Sequence, residues 1–247
     1  EVLERMAELN ISYYSPCREV SSGDGNNGNN NCGAPSGSEV VWVGDSYSVE
    51  AEDEIRSALS GVDIHAMVSK FISNENTTLD NSFGNSIPEN DQSELGLTHK
   101  NASGLNIAKA LKEHNKLRNY LVFALGTNGG ETGYFRELIN TVGDGTKIVL
   151  TTAWTAESDA SSMYPAFNKE VKEIADSNSN VVVADWEAVS KGKESEYWGS
   201  DLTHPNEAGR KVWIETITSA LGQFGGACGG GGNCDFTKYD YDDNTLK

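Results

Sequence analysis

The sequence lacks a long uninterrupted apolar segment. Hydrophobic residues make up 37% of the 247 residues, and they never run for the roughly 18 residues that a transmembrane helix needs. An integral membrane segment within the chain is therefore excluded. The chain opens with Glu1 instead of Met and shows no signal-peptide pattern. We expect a mature or excised piece whose export signal, if there is one, lies outside it.

Positive charge is also scarce. Lys and Arg number 19 against 37 Asp and Glu, which gives a formal net charge of -18. A surface this acidic repels a phosphate backbone, so nucleic acid is excluded as the expected partner, and docking on anionic lipid is disfavoured as well. Acidic surfaces mostly serve solubility, and the charge predicts no specific partner. We expect a monomer.

Cysteine is rare and confined to the two ends of the chain. Cys17 and Cys32 lie near the N-terminus, and Cys228 and Cys234 lie near the C-terminus. Each pair flanks Gly- or Asn-rich sequence that cannot form a core, so a disulfide closing each loop is the favoured interpretation. Pairing between the tails stays open, because four cysteines allow three connectivities. A zinc site is less favoured, since no spacing is CxxC and no histidine lies near. Disulfides predict an extracellular or cell-surface location.

The composition divides the chain into three parts. Residues 1–38 form an N-terminal extension and linker, residues 39–222 a regular domain, and residues 223–247 a Gly-rich and then acidic tail. No metal is expected, because the aspartates of this tail lack a full calcium-loop pattern.

The middle part alternates between strand-like and helix-like patterns. The strand candidates are Glu39–Val43, Val62–Val68, Tyr120–Leu125, Lys147–Thr151 and Asn180–Ala184. The helix candidates are Val49–Leu59, Leu105–Leu117, Phe135–Val142, Tyr164–Asp176 and Ala208–Leu221. This alternation predicts a five-stranded parallel sheet covered on both faces, a three-layer α/β/α sandwich. In such sheets the active site forms at the carboxyl ends of the strands.

A long polar segment, Ser73 to Ser103, interrupts the alternation. It follows the second strand, so it should lie over the catalytic end of the sheet. Loops of this length in compact domains are usually functional or disordered. A mobile surface insertion and a substrate-shaping lid are both open.

A candidate nucleophile, Ser46, follows the first strand in the triplet Gly44-Asp45-Ser46 and precedes a helix. A serine at a strand-to-helix turn exposes its hydroxyl at the edge of the sheet. Its own N–H lies at a helix N-terminus, where the helix dipole favours developing negative charge. Asp45 is expected to cap or brace the turn, although an ordinary turn would also use these residue types.

A candidate base, His204, precedes the last helix, and Pro205 suits that helix's first position. Asp201, three residues upstream, can fold back and accept the Nδ1 proton of His204. That would fix the tautomer and leave Nε2 free to take the proton of Ser46. The plain alternative is a helix cap beside a surface histidine.

A candidate oxyanion donor, Asn128, follows the third strand in the segment Gly126-Thr127-Asn128-Gly129. Its side-chain amide can donate to an oxyanion, and the flanking glycines allow a substrate to approach closely. In isolation this segment would suggest only a glycine turn.

Together these segments resemble the first, third and fifth sequence blocks of the SGNH (GDSL-type) hydrolase family. The motifs that carry the resemblance are Gly44-Asp45-Ser46, Gly126-Thr127-Asn128 and Asp201-x-x-His204-Pro205. Over roughly residues 39–222 the chain is more closely similar to the extracellular SGNH domain of Gram-positive peptidoglycan O-acetyltransferases. The further residues behind this likeness are Val43, Leu125, Gly129, Tyr164, Asn168, Asp185, Trp186 and Gly209.

The resemblance implies a flavodoxin-like three-layer fold and an acyl-serine intermediate on Ser46. It also implies an oxyanion hole made by the Ser46 N–H and Asn128. Family members usually add a backbone donor from a glycine shortly after the second strand, and here Ser69 stands at that position. A backbone N–H survives this change, but the close approach that glycine permits is in question.

The expected function is therefore that of a serine esterase acting on O-acyl, chiefly O-acetyl, esters of a carbohydrate or cell-wall glycan, without a cofactor. Asp45, Gly129 and Trp154 are the candidate substrate-binding residues, Trp154 by stacking on a sugar. The first alternative is a peptidoglycan or polysaccharide O-acetyltransferase domain. The second is a catalytically idle glycan-binding module.

Overall fold

The computed structural model describes residues 34–73, 89–98 and 101–224. The four cysteines, the aspartates of the C-terminal tail and part of the 73–103 segment lie outside these residues, so the predictions on them stay predictions. The proposed domain boundaries also stay a prediction.

The described residues contain a five-stranded sheet that is parallel throughout, in the order β2-β1-β3-β4-β5. The strands are β1 (Val40–Gly44), β2 (Asp63–Ala66), β3 (Tyr120–Ala124), β4 (Lys147–Thr151) and β5 (Val181–Ala184). All five lie within a residue or two of the predicted runs, and the largest difference is at β2, which ends two residues before Val68. The predicted α/β sheet is thus confirmed.

Strand β1, which lies between β2 and β3, is followed by the turn that carries the candidate nucleophile. Its β-branched and aromatic residues favour extended backbone, and all five of its residues are buried, as expected for a strand covered on both faces. Gly44, its last residue, pairs with Ala66 at the end of β2 and with Ala124 at the end of β3. The segments that follow these strands therefore begin side by side at one edge of the sheet.

Helices cover both faces of the sheet. They are α1 (Ser46–Glu50), α2 (Glu52–Ala58), α3 (Glu89–Ser93), α4 (Gly104–Glu113), α5 (Phe135–Val142), α6 (Ala160–Met163), α7 (Pro165–Ser177), α8 (Trp186–Ser190), α9 (Glu194–Tyr197) and α10 (Glu207–Gln223). Helices α4, α5 and α7 pack in a row on one face, and α2 packs with α10 on the other. Within the described ranges, no helix is long and apolar enough to cross a membrane.

Two aromatic pairs support this packing, one between the sheet and a helix and one between two helices of the same face. Trp42 of β1 meets Trp213 of α10 edge to face, with ring centroids 5.5 Å apart. Between the helices of the other face, Phe135 contacts Phe167 at 5.5 Å. Such pairs add about 0.5–1.5 kcal/mol beyond the area that they bury.

The first predicted helix, Val49–Leu59, is divided in the structure. Ala51 leaves helical geometry, with φ -105° and ψ 14°, so α1 and α2 are separate. The helix also starts earlier than predicted, at Ser46, which brings the candidate nucleophile into the first turn. The short helices α3, α6, α8 and α9 were not predicted, because four or five residues are too few to establish a helical period.

Candidate active site

The turn that holds Ser46 is shaped by a close approach between β1 and α1. A Cβ on Gly44 would lie 1.9 Å from the Ser48 Oγ, so a side chain there would displace the helix. The Ser48 hydroxyl in turn accepts a hydrogen bond of 2.9 Å from the Trp42 indole N–H. Asp45 is the N-cap of α1 and accepts from the Tyr47 N–H at 3.2 Å, which confirms the predicted capping role.

Ser46, His204 and Asp201 form a hydrogen-bonded chain. The Ser46 Oγ lies 3.0 Å from the His204 Nε2. On the other side of the ring, the His204 Nδ1 lies 2.7 Å from the Asp201 Oδ2. These distances and this order are the ones that a serine nucleophile, its base and an orienting carboxylate require.

Asp201 also organises the backbone of its own turn. Its Oδ1 accepts from the backbone N–H groups of Thr203, at 3.1 Å, and His204, at 3.0 Å. Burial alone would raise the pKa of Asp201, but the hydrogen bonds from the His204 ring and from these N–H groups hold that pKa below its usual value. The carboxylate therefore stays ionised over the range in which an imidazole titrates.

The histidine turn is fixed to the nucleophile helix by Tyr47. The Tyr47 hydroxyl donates to the Thr203 carbonyl at 2.6 Å, and the Tyr47 and His204 rings lie 6.0 Å apart. Helix α10 begins at Glu207 with Asn206 as its cap, one residue before the predicted run Ala208–Leu221, and Pro205 is not its first residue. Pro205 instead pairs with Trp198 in an isolated bridge, so it belongs to the turn.

Asp45 links the nucleophile turn to the third-strand motif. Its Oδ2 accepts from the Thr127 hydroxyl at 2.5 Å, and its side chain is 1% exposed. Burial raises the pKa of Asp45 to about 6, although the hydrogen bonds from Thr127 and Tyr47 and the nearby His204 oppose the rise. The assignment of Asp45 to substrate binding is not supported, because the carboxylate is covered and both of its oxygens are engaged within the protein.

Asn128 and Ser69 follow β3 and β2, the two strands that flank β1, so they lie at the same edge of the sheet as Ser46. The Asn128 side-chain amide donates to the Lys70 carbonyl at 3.0 Å. That nitrogen carries two hydrogens, so the second can serve an oxyanion. Ser69 has a φ of 56°, in the left-handed region that favours glycine. The serine thus adopts a backbone conformation that a glycine would accept without strain.

Gly126 lets the third-strand motif pack against α7. Its φ is +128°, and a Cβ there would lie 2.2 Å from the Phe167 ring. Gly129 has a φ of +98° and is exposed, with open space around it, which is compatible with the predicted contact to substrate.

Trp154 lies near the site but is largely covered. It is 6% exposed, and the Lys191 ammonium sits 4.6 Å from the centre of its ring. Its carbonyl accepts a hydrogen bond from the Trp186 indole N–H at 3.2 Å. The Tyr47 hydroxyl, which donates to the Thr203 carbonyl, also lies 3.2 Å from the Trp154 carbonyl. Stacking of a sugar on this ring stays a prediction, and the burial disfavours it.

Several contacts of the site carried no signal in the sequence. Thr127 lies within the third-strand motif and Tyr47 directly follows Ser46, but their partners, Asp45 and the Thr203 carbonyl, are far away along the chain and could not be inferred from it. Glu50 also lies near His204, with its Oε1 3.7 Å from Nδ1. Across the described ranges, no group of three or more His, Cys, Asp or Glu side chains could hold a metal ion.

Fold and site together define an α/β domain with a Ser-His-Asp arrangement at the carboxyl edge of a parallel sheet. The C-terminal catalytic domain of peptidoglycan O-acetyltransferase A (OatA) of Streptococcus pneumoniae, solved with a methylsulfonyl adduct, is similar to this chain at 22% identity and a TM-score of 0.56. The alignment covers 77% of this chain and 95% of that domain. The chain therefore has the α/β fold of that catalytic domain, which is the fold that the resemblance implied.

Two further solved structures are more distant. A lipase from a goat rumen metagenome has 16% identity and a TM-score of 0.45, with 73% of this chain and 96% of the lipase covered. A protein described as a platelet activating factor from Streptococcus pneumoniae has 12% identity and a TM-score of 0.43, with 74% and 83% covered. No family profile and no curated protein matches the sequence.

Proposed function

We propose that this chain is a serine esterase that removes O-acyl groups, chiefly acetyl, from a carbohydrate or cell-wall glycan. The observation that carries the proposal is the hydrogen-bonded chain from Ser46 through His204 to Asp201. The SGNH-type fold supports it, since the solved domain of this fold is a catalytic domain. The glycan substrate rests on the same likeness.

The chemistry proceeds in two steps. His204 Nε2 takes the proton of Ser46 as its Oγ attacks the ester carbonyl, and the negative oxygen is held by the Ser46 N–H, the Asn128 amide and the Ser69 N–H. His204 then protonates the leaving sugar hydroxyl, and the acyl group remains on Ser46. In the second step His204 deprotonates a water molecule, which attacks the acyl-serine. His204 then returns that proton to the Ser46 Oγ as the bond to the acyl group breaks and the carboxylic acid leaves.

The proposed esterase activity is tested by comparing the rates at which the native protein and Ser46→Ala hydrolyse p-nitrophenyl acetate. Loss of the nucleophile should lower the rate by at least about 10³-fold. Ser57→Ala, which removes an exposed serine of α2, is the matched control and should keep the native rate. Equal rates for the native protein and Ser46→Ala would favour an idle glycan-binding module instead.

A second candidate is an O-acetyltransferase, which the likeness to the OatA domain favours. In that case a sugar hydroxyl, and not water, attacks the acyl-serine and forms a new ester. Incubation with an acetyl donor and a chitooligosaccharide acceptor distinguishes the two. Free acetate without acetylated acceptor supports the esterase, and acetylated acceptor detected by mass spectrometry supports the transferase.

A further inference from the structure

A fully buried ionic cluster lies beneath the candidate oxyanion hole. Lys70 and Asp91 are both 0% exposed and His65 is 1% exposed. The Lys70 Nζ is 3.6 Å from the Asp91 Oδ2 and donates to the Ala102 carbonyl at 3.3 Å. The other oxygen of Asp91 contacts the His65 Nδ1.

Such a cluster is an unfavourable way to fill a core. Removing each ion from water costs several kcal/mol, and apolar residues of similar volume are often as stable or more stable. Burial lowers the pKa of Lys70 to about 8, while Asp91 opposes the shift. Lys70 therefore remains charged at neutral pH. The two-step chemistry described above does not use these charges, so they need another explanation.

Lys70 is connected to both donors that would complete the hole. Its carbonyl accepts from the Asn128 amide at 3.0 Å and so orients that side chain. Its preceding neighbour is Ser69, whose N–H is the remaining candidate donor and whose left-handed φ of 56° is unfavourable for a serine. The position of the Lys70 backbone therefore sets the position of both donors.

The rest of the segment is held from other elements. The carbonyls of Phe71 and Ile72 accept from the N–H groups of Gly104 at 2.9 Å and Leu105 at 3.1 Å. The Ile72 N–H donates to the Glu131 carboxylate at 2.5 Å. Downstream of Lys70 the backbone is thus fixed by hydrogen bonds. Lys70 itself is held both by its own N–H, which donates to the Met67 carbonyl at 3.2 Å, and by its buried ammonium group.

We propose that Lys70 is a positioning residue of the oxyanion hole and that Asp91, supplied by the segment between β2 and α4, is its electrostatic anchor. This inference rests on the proposed function and deepens it. It also assigns a role to the described part of the long polar segment, which supplies Asp91 and so fixes the position of Lys70 and of the oxyanion-hole donors. Loss of the anchor should impair the chemical step more than ground-state binding of the ester, because the oxyanion forms only during reaction.

The experiment compares Lys70→Met with the double variant Lys70→Met/Asp91→Asn. The single change removes the Lys70 cation and leaves the buried Asp91 with only His65 as a partner, so it should lower both the Tm and kcat. The double change removes both charges, and the amide oxygen introduced by Asp91→Asn can still accept from His65, so the Tm should return towards the native value. With p-nitrophenyl acetate, kcat of the double variant should stay about 10- to 100-fold below native, with KM within about twofold.

A second readout is the affinity for a boronic acid, which forms a tetrahedral adduct on an active serine. Its Ki should rise in the double variant by about the same factor as kcat falls, since the adduct uses the same hole. Lys112→Met is the matched control. The Lys112 Nζ also donates to a backbone carbonyl, that of Val142 at 3.0 Å, but near the C-terminus of α4 and away from the site.

The outcomes separate the two proposals. If the double variant regains native kcat and Ki together with its Tm, the cluster is merely structural and the role of Lys70 is overturned while the esterase stands. If the native protein is no faster than Ser46→Ala, the proposed function fails and the role of Lys70 fails with it.

Discussion

At the scale of single residues, His204 has two carboxylates near its Nδ1. Asp201 is hydrogen-bonded at 2.7 Å, and Glu50, the last residue of α1, lies at 3.7 Å. Both carboxylates are largely exposed, at 53% and 42%. Asp201 has the better geometry and should orient the ring, but Glu50 is close enough to take over part of that role when Asp201 is missing.

We therefore expect the effects of Asp201→Ala and Glu50→Gln to be non-additive. Glu50→Gln alone should change kcat/KM by less than about twofold, because an exposed charge at this distance contributes little. In the Asp201→Ala background the same change should cost a further factor of about five to ten, within the usual range for coupled neighbours. Steady-state kinetics of the four proteins measures this, with Asp53→Asn as a control on α2. Equal effects of Glu50→Gln in both backgrounds would contradict it.

The raised pKa of Asp45 predicts how the free energy of unfolding depends on pH. Its folded pKa of about 6 lies above the ordinary value of 3.8, so between these values the folded state binds more protons than the unfolded state. The free energy of unfolding contributed by Asp45 should fall as pH rises through this window, by about 3 kcal/mol in all. Asp45→Asn lacks this dependence and keeps a side chain that can cap α1.

Urea denaturation of both proteins between about pH 4 and pH 7 is the measurement. The stability of the native protein relative to Asp45→Asn should decline steadily as pH rises. A difference between the two proteins that is constant with pH would show that Asp45 does not titrate in this way.

At the scale of elements, the segment after β2 combines backbone strain with function. A left-handed φ of 56° costs a non-glycine residue about 1 kcal/mol or more. The hydrogen bonds of the following residues and the buried Lys70 compensate for that cost, so a site with a serine in place of the expected glycine can still form.

Substitutions at Ser69 should separate strain from chemistry. Ser69→Gly relieves the backbone and should raise the free energy of unfolding by up to about 1 kcal/mol, with kcat unchanged, since the N–H remains. Ser69→Val, whose β-branched side chain tolerates this φ least, should lower stability by about 1–3 kcal/mol and reduce kcat. Chemical denaturation and ester hydrolysis of both variants provide the data. If the Ser69→Gly protein is less stable than the native protein, the backbone at Ser69 is not strained.

The elements also show where prediction from sequence succeeds. The strands were predictable because short apolar runs that alternate with helical patterns along a chain are typical of buried parallel strands. The parallel register of these strands then places Ser46, Asn128 and Ser69 at one edge of the sheet. The partners of these residues were not predictable. The Tyr47 hydroxyl bonds a carbonyl 156 residues away, and Asp91 reaches Lys70 from a segment without periodicity. Such contacts depend on tertiary packing, which local patterns do not encode.

At the scale of the whole molecule, the net charge of -18 should select among substrates. Asp201 and Glu50 add exposed carboxylates at the mouth of the site. An ester that carries a negative charge should approach more slowly than a neutral one, and the difference should shrink as salt screens the field.

The comparison uses p-nitrophenyl acetate and a sulfonated nitrophenyl acetate at about 10 and about 500 mM salt, which span weak and strong screening. We expect kcat/KM for the anionic ester to rise with salt while that for the neutral ester changes little. Identical salt dependence for the two esters would rule out a steering effect of the protein's charge.

The separation of Ser46 from His204 along the chain, 158 residues, has a consequence for biogenesis. A nascent polypeptide carries the candidate nucleophile long before its candidate base has been synthesised, and that base is positioned only when α10 docks beside β4 and β5. The protein should thus remain chemically inert throughout its synthesis. In a refolding experiment, recovery of ester hydrolysis would follow the docking of this last helix and lag behind the earliest gain of secondary structure.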